Sequence, residues 1–225
     1  GYEVVMGATL AGKRAISTMK HVGLNVAADP FFSSSYMGVN GGLVVVSADD
    51  PAMHSSQDEQ DNRYLAKAAK VVMVEPSDVE ESRWMTKEAF ALSEELDTPV
   101  LLRMTTRVCH QTGITFPEDR ITPPEKAFVK DISKYVLLPG HAKQRRHKVE
   151  ERLNKAREIG NTSDKWSPII NPGKKIGVIT SGVAFGYVLE VMGEEASILK
   201  LGITNPLPLE RMRKFAGSVE TLFVV

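Results

Sequence analysis

The sequence predicts an α/β fold built on parallel sheets. Three observations carry this. Short apolar runs recur, as at Val44-Val45-Val46, Val71-Val72-Met73-Val74 and Val100-Leu101-Leu102, each short enough for a strand buried on both faces. Longer stretches with helical spacing alternate with them, the pattern of right-handed crossovers. Polar and ionisable residues crowd just after the runs, as at Asp49-Asp50-Pro51, where a parallel sheet presents its ligand-binding rim.

The elements follow in order. Tyr2–Ala11 reads as a helix stopped by Gly12. Arg14–Met19 is a strand, and Lys20-His21-Val22-Gly23 a loop. Leu24–Met37 is a helix bent at Asp29-Pro30. The strand through Val44–Val46 ends at Asp49-Asp50-Pro51, because proline has no N–H for the ladder. Asp58–Ala69 is a helix capped by Ser55 or Ser56. After the strand Val71–Glu75, Ser77 and Glu80 form a capping box that opens a helix to Leu96. That helix faces the core with Val79, Trp84, Ala89, Phe90 and Leu92, and Thr98-Pro99 stops it before the strand Val100–Met104.

From Gln111 to Pro172 the rhythm breaks. Prolines 117, 123, 124 and 139 mark an extended surface connection carrying one helix, His141–Ile159. A second βαβαβ unit follows: strand Ile176–Thr180, helix Val183–Met192, strand Ser197–Leu201, helix Leu209–Phe215 and a buried strand through Leu222–Val225. Three parts are therefore expected: an α/β domain over 1–115, a linker with a charged helix over 116–172, and a smaller, partial α/β domain over 173–225. A first helix with no N-cap before it and a buried strand at the last residue are expected of a piece of a longer protein.

Composition narrows the function. The 28 basic and 28 acidic residues cancel, so no global field draws the chain to nucleic acid or to a membrane surface. The basic cluster Lys143–Lys148 is followed by Glu150, Glu151 and Glu158, the mixture of a solvated helix face. No membrane span or signal peptide is visible. Cys109, the single cysteine, forms no internal disulfide and holds no iron–sulfur cluster alone; a reducing, cytoplasmic home is expected. On a strand, Cys109 and His110 would point to opposite faces, which argues against a thiol–imidazole pair. Asp49-Asp50 lacks the supporting ligands of a metal site, and no glycine-flanked nucleophile elbow is present. Ser181-Gly182 lacks the full dinucleotide fingerprint; Gly182 and Gly186 read as helix–strand packing positions.

Three polar segments at strand ends remain as candidates for one shared rim: Lys20–Asn25, Asp49–Gln60, and Arg103–Arg107 with His110. His21 stands out beside Gly23, whose lack of a side chain admits a close ligand.

The stretches Thr18-Met19-Lys20-His21-Val22-Gly23-Leu24-Asn25-Val26-Ala27-Ala28-Asp29-Pro30, Gly42–Val46 and Asp49-Asp50-Pro51-Ala52-Met53-His54-Ser55-Ser56-Gln57-Asp58-Glu59-Gln60-Asp61 resemble the α subunit of indolepyruvate ferredoxin oxidoreductases. The resemblance continues through Phe128–Asp131, Leu138–His141 and Ile176–Gly182. It implies a thiamine-diphosphate enzyme, with magnesium, that oxidatively decarboxylates aryl pyruvates to acyl-coenzyme A. Electrons pass through iron–sulfur clusters to ferredoxin, and a β subunit and self-association are expected. It implies that 1–115 is a pyrimidine-binding-type domain and that 173–225 begins a transketolase C-terminal-like domain.

Among the residues, it implies a catalytic role for His21, cofactor contacts from Lys20, Gly23 and Asn25, and a substrate end shaped by Asp49, Asp50, His54, Ser55, Ser56 and Gln57. Pyruvate-specific relatives place an arginine near Asp49 to hold the substrate carboxylate. An acid stands there in this chain, leaving His21, His54 or Arg103 as candidates. The activating glutamate is expected upstream of Glu3. The diphosphate–magnesium domain and the cluster cysteines are expected outside this segment, which is inactive alone. Two other readings remain: another 2-oxoacid ferredoxin oxidoreductase with a different substrate, or a non-catalytic α/β interaction module.

Overall fold

Residues 1–225 are all described by a computed structural model. The chain runs α1 (Tyr2–Leu10), β1 (Ala15–Lys20), α2 (His21–Val26), α3 (Ala28–Met37), β2 (Leu43–Asp49), a 3-10 turn (Pro51–Met53), α4 (Asn62–Ala69), β3 (Val72–Val74), α5 (Val79–Leu96), β4 (Val100–Thr105) and α6 (Thr106–Cys109). It continues through α7 (Ile132–Tyr135), α8 (Pro139–Thr162), β5 (Ile169–Ile170), β6 (Ile176–Ser181), α9 (Ala184–Met192), β7 (Ala196–Leu201), β8 (Ile203–Asn205), α10 (Leu209–Ala216) and β9 (Thr221–Val224).

Two sheets result, ordered β1-β2-β4-β3-β8 and β5-β7-β6-β9. Each is parallel except at one edge, where β8 runs antiparallel to β3 and β5 antiparallel to β7. The register aligns the strand ends that matter: Lys20 lies opposite Ala48, Arg103 opposite Ser47, and Asp49 opposite Thr105. Three carboxyl ends of the first sheet therefore open on one side, the place where such sheets bind ligands.

Alternate residues of the first sheet bury on its two faces. Val44, Val74 and Leu102 pack under Met85, Ala89 and Leu92 of α5 and Ala156 of α8. Leu43, Val45 and Leu101 pack under Leu24, Phe31 and Ala66. Each of the Val, Leu, Met and Phe side chains among them contributes about 1.5–3 kcal/mol by leaving water. The linker helix α8 is pinned by ion pairs from Arg145 (3.1 Å) and Arg152 to Asp97, which also receives Lys134 at 2.8 Å. Gly38 makes this possible. Its φ is +74°, and a Cβ there would lie 2.3 Å from the Asp97 carboxylate.

Several expectations change. No loop separates β1 from α2, so His21 opens a helix directly after the strand. The Leu24–Met37 helix is two helices meeting at Ala27; Pro30 sits in the first turn of α3, where a missing N–H costs nothing. Asp61, not a serine, caps α4, which begins at Asn62. Asp78 caps α5, accepting from Glu81 N at 2.8 Å, and Glu81 reaches back to Ser77 N at 2.8 Å, so the capping box lies one residue later than expected. Cys109 ends a one-turn helix, with His110 as its C-cap, rather than lying on a strand. β9 is exposed throughout because it pairs only with β6 at the sheet edge. β8 has no counterpart among the expected elements, and it carries the later part of the chain back onto the first sheet. No helix is long and apolar enough to cross a membrane.

Candidate functional site

The floor of the rim is a buried ion network. Arg103, on β4, donates from Nε to Asp49 Oδ2 at 2.7 Å and from Nη1 to Glu75 Oε1 at 2.5 Å, with Asp61 3.8 Å away. Burial works against the guanidinium charge, but the Glu75 and Asp49 carboxylates more than offset it and raise its pKa. Asp49 is 2 % exposed and also accepts from Ser47 Oγ (2.7 Å) and Asn62 N (3.1 Å). Both its oxygens are committed inside the protein. Asp49 borders a rim cavity of about 330 Å³ with both carboxylate oxygens already engaged, and Arg103 is held through Nε and Nη1 while its Nη2 makes no hydrogen bond.

Asp50 builds the loop above this floor. Its carboxylate accepts from Ser56 Oγ (2.5 Å), Thr106 Oγ1 (2.7 Å), Ser55 N (2.8 Å) and His54 N (3.1 Å). The Ser56 and Thr106 hydroxyls, then the backbone amides, hold the carboxyl well below the usual carboxylate range. Asp50 thus braces the loop from the wall of the rim. His54, Ser55 and Gln57 are exposed, and Ser56 is half-buried. Lys20 Nζ donates to the Ser55 carbonyl, joining the β1 end to the same loop.

His21 is fully enclosed. Its Nε2 faces Asp58 Oδ1 at 3.4 Å, and its Nδ1 is buried with no partner. Its backbone carbonyl accepts from Gln60 Nε2 (3.0 Å) and Asn62 Nδ2 (3.3 Å). The imidazole is thus enclosed behind the loop, which its backbone carbonyl helps to hold. Gly23 is required by packing within the chain, since a Cβ would lie 2.9 Å from Met19 Cβ. Asn25 is exposed on α2.

Besides a cavity of about 220 Å³ bordered by Glu75, Arg103, Thr105, Ser181 and Gly182, two cavities open on the rim. One, of about 330 Å³, is lined by Lys20, Asp49, Asp50, Ser55, Thr106, Cys109 and His110. The other, of about 720 Å³, lies between the sheets and takes His54, Thr106, Arg107 and His110 on one side with Phe185 and Tyr187 of α9 on the other. Thr106 and His110 belong to both, so the cavities adjoin. Burial pushes the Cys109 thiol pKa up, with Asp49 adding to the shift. The α9 wall has no place in the sequence-derived site. The strand-end rule applied to β6 points to it, because Ser181-Gly182 occupies the same place in the second sheet as Asp49-Asp50 does in the first.

Comparison with known proteins bears on this rim. Residues 1–163 match the family described as pyruvate flavodoxin/ferredoxin oxidoreductase, thiamine diphosphate-binding. The chain is 41% identical to the indolepyruvate oxidoreductase subunit IorA of Archaeoglobus fulgidus, over 100% of this chain and 37% of that protein. It is 42% identical to the subunit of the same name from Methanothermobacter marburgensis, over 99% and 37%. The chain thus spans little more than a third of the length of these curated relatives. Among solved structures, 2-oxoglutarate:ferredoxin oxidoreductase from Magnetococcus marinus, with 2-oxoglutarate, coenzyme A and succinyl-CoA bound, shares the fold: TM-score 0.73 at 17% identity, over 99% of this chain and 47% of that one. The family match covers β1–β4 of the first sheet, the rim loops and α8 together, and the chain belongs to the pyruvate flavodoxin/ferredoxin oxidoreductase family, within its thiamine diphosphate-binding part.

Proposed function

We propose that this chain forms one wall of the active site of an indolepyruvate-type 2-oxoacid:ferredoxin oxidoreductase. The full enzyme converts an aryl pyruvate and coenzyme A to an acyl-coenzyme A and carbon dioxide, and passes the electrons to ferredoxin. The observation that carries this is the pair of adjoining cavities at the carboxyl ends of β1, β2 and β4, on a chain of this family.

When bound, thiamine diphosphate would supply the carbanion stabilisation that lets a 2-oxoacid lose carbon dioxide. The donor set here suits the neutral end of that cofactor. The rim acids Asp49 and Asp50 are satisfied internally and Lys20 flanks the cavity of about 330 Å³, while Gly23 and Asn25 lie further along the same segment, outside its lining. No three His, Cys, Asp or Glu side chains converge to hold a metal ion, and magnesium and the diphosphate belong to another domain of the full protein. The iron–sulfur clusters belong to cysteines elsewhere, since only Cys109 is present here. The β subunit, self-association and a cytoplasmic location belong to the same reading. In it, residues 1–115 supply the pyrimidine-side domain, 116–172 the linker and 173–225 the opposing wall.

On this reading His54, Ser55, Ser56 and Gln57 meet the substrate, Asp50 holds them in place, and His21 positions the loop from behind. The test is 2-oxoacid-dependent, coenzyme A-dependent ferredoxin reduction by the full-length protein with its partner subunit. Indolepyruvate or phenylpyruvate is expected to exceed pyruvate and 2-oxoglutarate in kcat/KM. Preference for pyruvate or 2-oxoglutarate would reassign the substrate. Failure of the full-length protein to bind thiamine diphosphate would leave the interaction module.

A further inference from the structure

We propose that Arg107 is the anion anchor of the larger cleft. On the reading above, which this assignment rests on, it takes the carboxylate of the aryl 2-oxoacid while α9 takes the ring.

Position comes first. β4 ends at Thr105, and the single turn of α6 delivers Arg107 to the cleft beside Thr106 and His110. Charge comes second. Arg103, four positions earlier, is surrounded by Asp49, Glu75 and Asp61. Arg107 is exposed and forms no ion pair or hydrogen bond within the chain. Its guanidinium is always charged and presents a planar fork that matches a carboxylate with two parallel bonds. Two acids share the cleft with it. Asp78 is occupied as the cap of α5, accepting from Glu81 N at 2.8 Å. Glu190 stands on the α9 wall and forms no ion pair with Arg107.

The opposite wall is aromatic and held in place. Phe185 and Tyr187 face the cleft, and Lys200 Nζ lies 5.0 Å from the Phe185 ring centroid. Lys200 is itself buried and ion-paired with Glu81 of α5, so this contact ties the two sheets together behind the ring. A cation facing an aromatic wall across about 720 Å³ suits a ligand with one anionic end and one flat apolar end.

The test uses the full-length enzyme with its partner subunit, and the variants Arg107→Gln and Arg107→Lys. Calorimetry measures binding of 3-phenylpropionate and of its uncharged amide, two unreactive probes of the same shape. The wild-type enzyme is expected to prefer the acid by about tenfold or more, the scale of a charge-assisted pair. Arg107→Gln should bind both alike, and Arg107→Lys should keep part of the preference. In turnover, Arg107→Gln should raise KM for phenylpyruvate by about tenfold or more while kcat and KM for coenzyme A stay near wild type. Melting temperature should not move, since Arg107 makes no bond within the chain. An unchanged acid-to-amide ratio in Arg107→Gln overturns the assignment. So does a shift in KM for coenzyme A alone, which would place a phosphate at this side chain. If the wild-type enzyme binds thiamine diphosphate but neither probe and oxidises no aryl pyruvate, the substrate reading itself is wrong and this assignment falls with it.

Discussion

The floor of the rim and the surface above it use the same residue types to opposite ends. In the floor, Arg103 is buried against Asp49 and Glu75, and Ser47 and Asn62 satisfy the remaining oxygens of Asp49. Above it, His54, Gln57, Arg107 and His110 reach solvent, and Arg107 has no carboxylate partner. Burying ions is costly unless each is matched, and a matched buried network is rigid and unavailable to ligand. An exposed side chain on a braced loop keeps its hydrogen-bonding capacity for whatever binds. Depth below the rim therefore separates scaffold from working surface, and residue type does not. Asp50 is the joint between the two. Its backbone continues β2, and its carboxylate collects the loop.

The largest expected effect is on the floor. Arg103→Met leaves Asp49 and Glu75 buried without their cation, and removing one partner of such a network costs about 3–5 kcal/mol. Thermal unfolding of the full-length protein should show a clear fall in Tm. Loss of activity at an unchanged Tm would break the comparison, because it would place Arg103 on the working surface.

Asp50→Asn comes next and acts locally. The amide cannot accept all four hydrogen bonds, so hydrogen exchange and proteolysis should rise across residues 51–61 while β2 and β4 stay protected. The acid dependence follows from the lowered pKa of Asp50. A carboxyl with a folded-state pKa below its unfolded value contributes stability that is complete above the ordinary range near about pH 4 and fades as pH falls below it. Loop protection in the wild type should weaken over that acid interval. In Asp50→Asn this component of the pH dependence should vanish. Equal protection in both proteins down to acid pH would show that other contacts, such as Lys20 to the Ser55 carbonyl, hold the loop.

Much of this division was out of reach of the sequence, for a physical reason. Apolar runs and helical spacing are local, and they located β1, β2, β4, α5 and both βαβ segments. The crowd of polar residues after Val46 marked the rim, because Pro51 and the acids cannot continue a buried strand. Which acids are spent within the protein depends on partners 54 and 28 residues away, brought together by the register that sets Arg103 opposite Ser47. No periodicity encodes that register. The three-residue strand β8 is too short to carry an alternation, so its return to β3 was invisible. The α9 wall escapes the sequence because Gly182 and Gly186 read as packing positions, although Gly182 has φ of +53° and opens the segment that enters the cleft.

His21 is the smallest expected effect and the sharpest use of the comparison, because sequence and structure place it on different sides. As a group touching substrate, it would act as a general acid or base, and its loss would cost about 10²–10⁴-fold in turnover with folding intact. As the enclosed residue the structure shows, it contributes mainly its backbone carbonyl to Gln60 and Asn62, and those bonds survive any side-chain exchange. The side chain adds only a long contact to Asp58 and leaves Nδ1 unpaired. His21→Gln retains a polar side chain of similar reach, so a change of about 1 kcal/mol in stability is expected. Turnover of the full enzyme should stay within about tenfold of wild type, and any loss should be matched by greater hydrogen exchange at residues 54–61. A loss of a hundredfold or more, with loop exchange and Tm unchanged, would return His21 to the chemistry. The loop would then have to open far enough to uncover the ring during turnover.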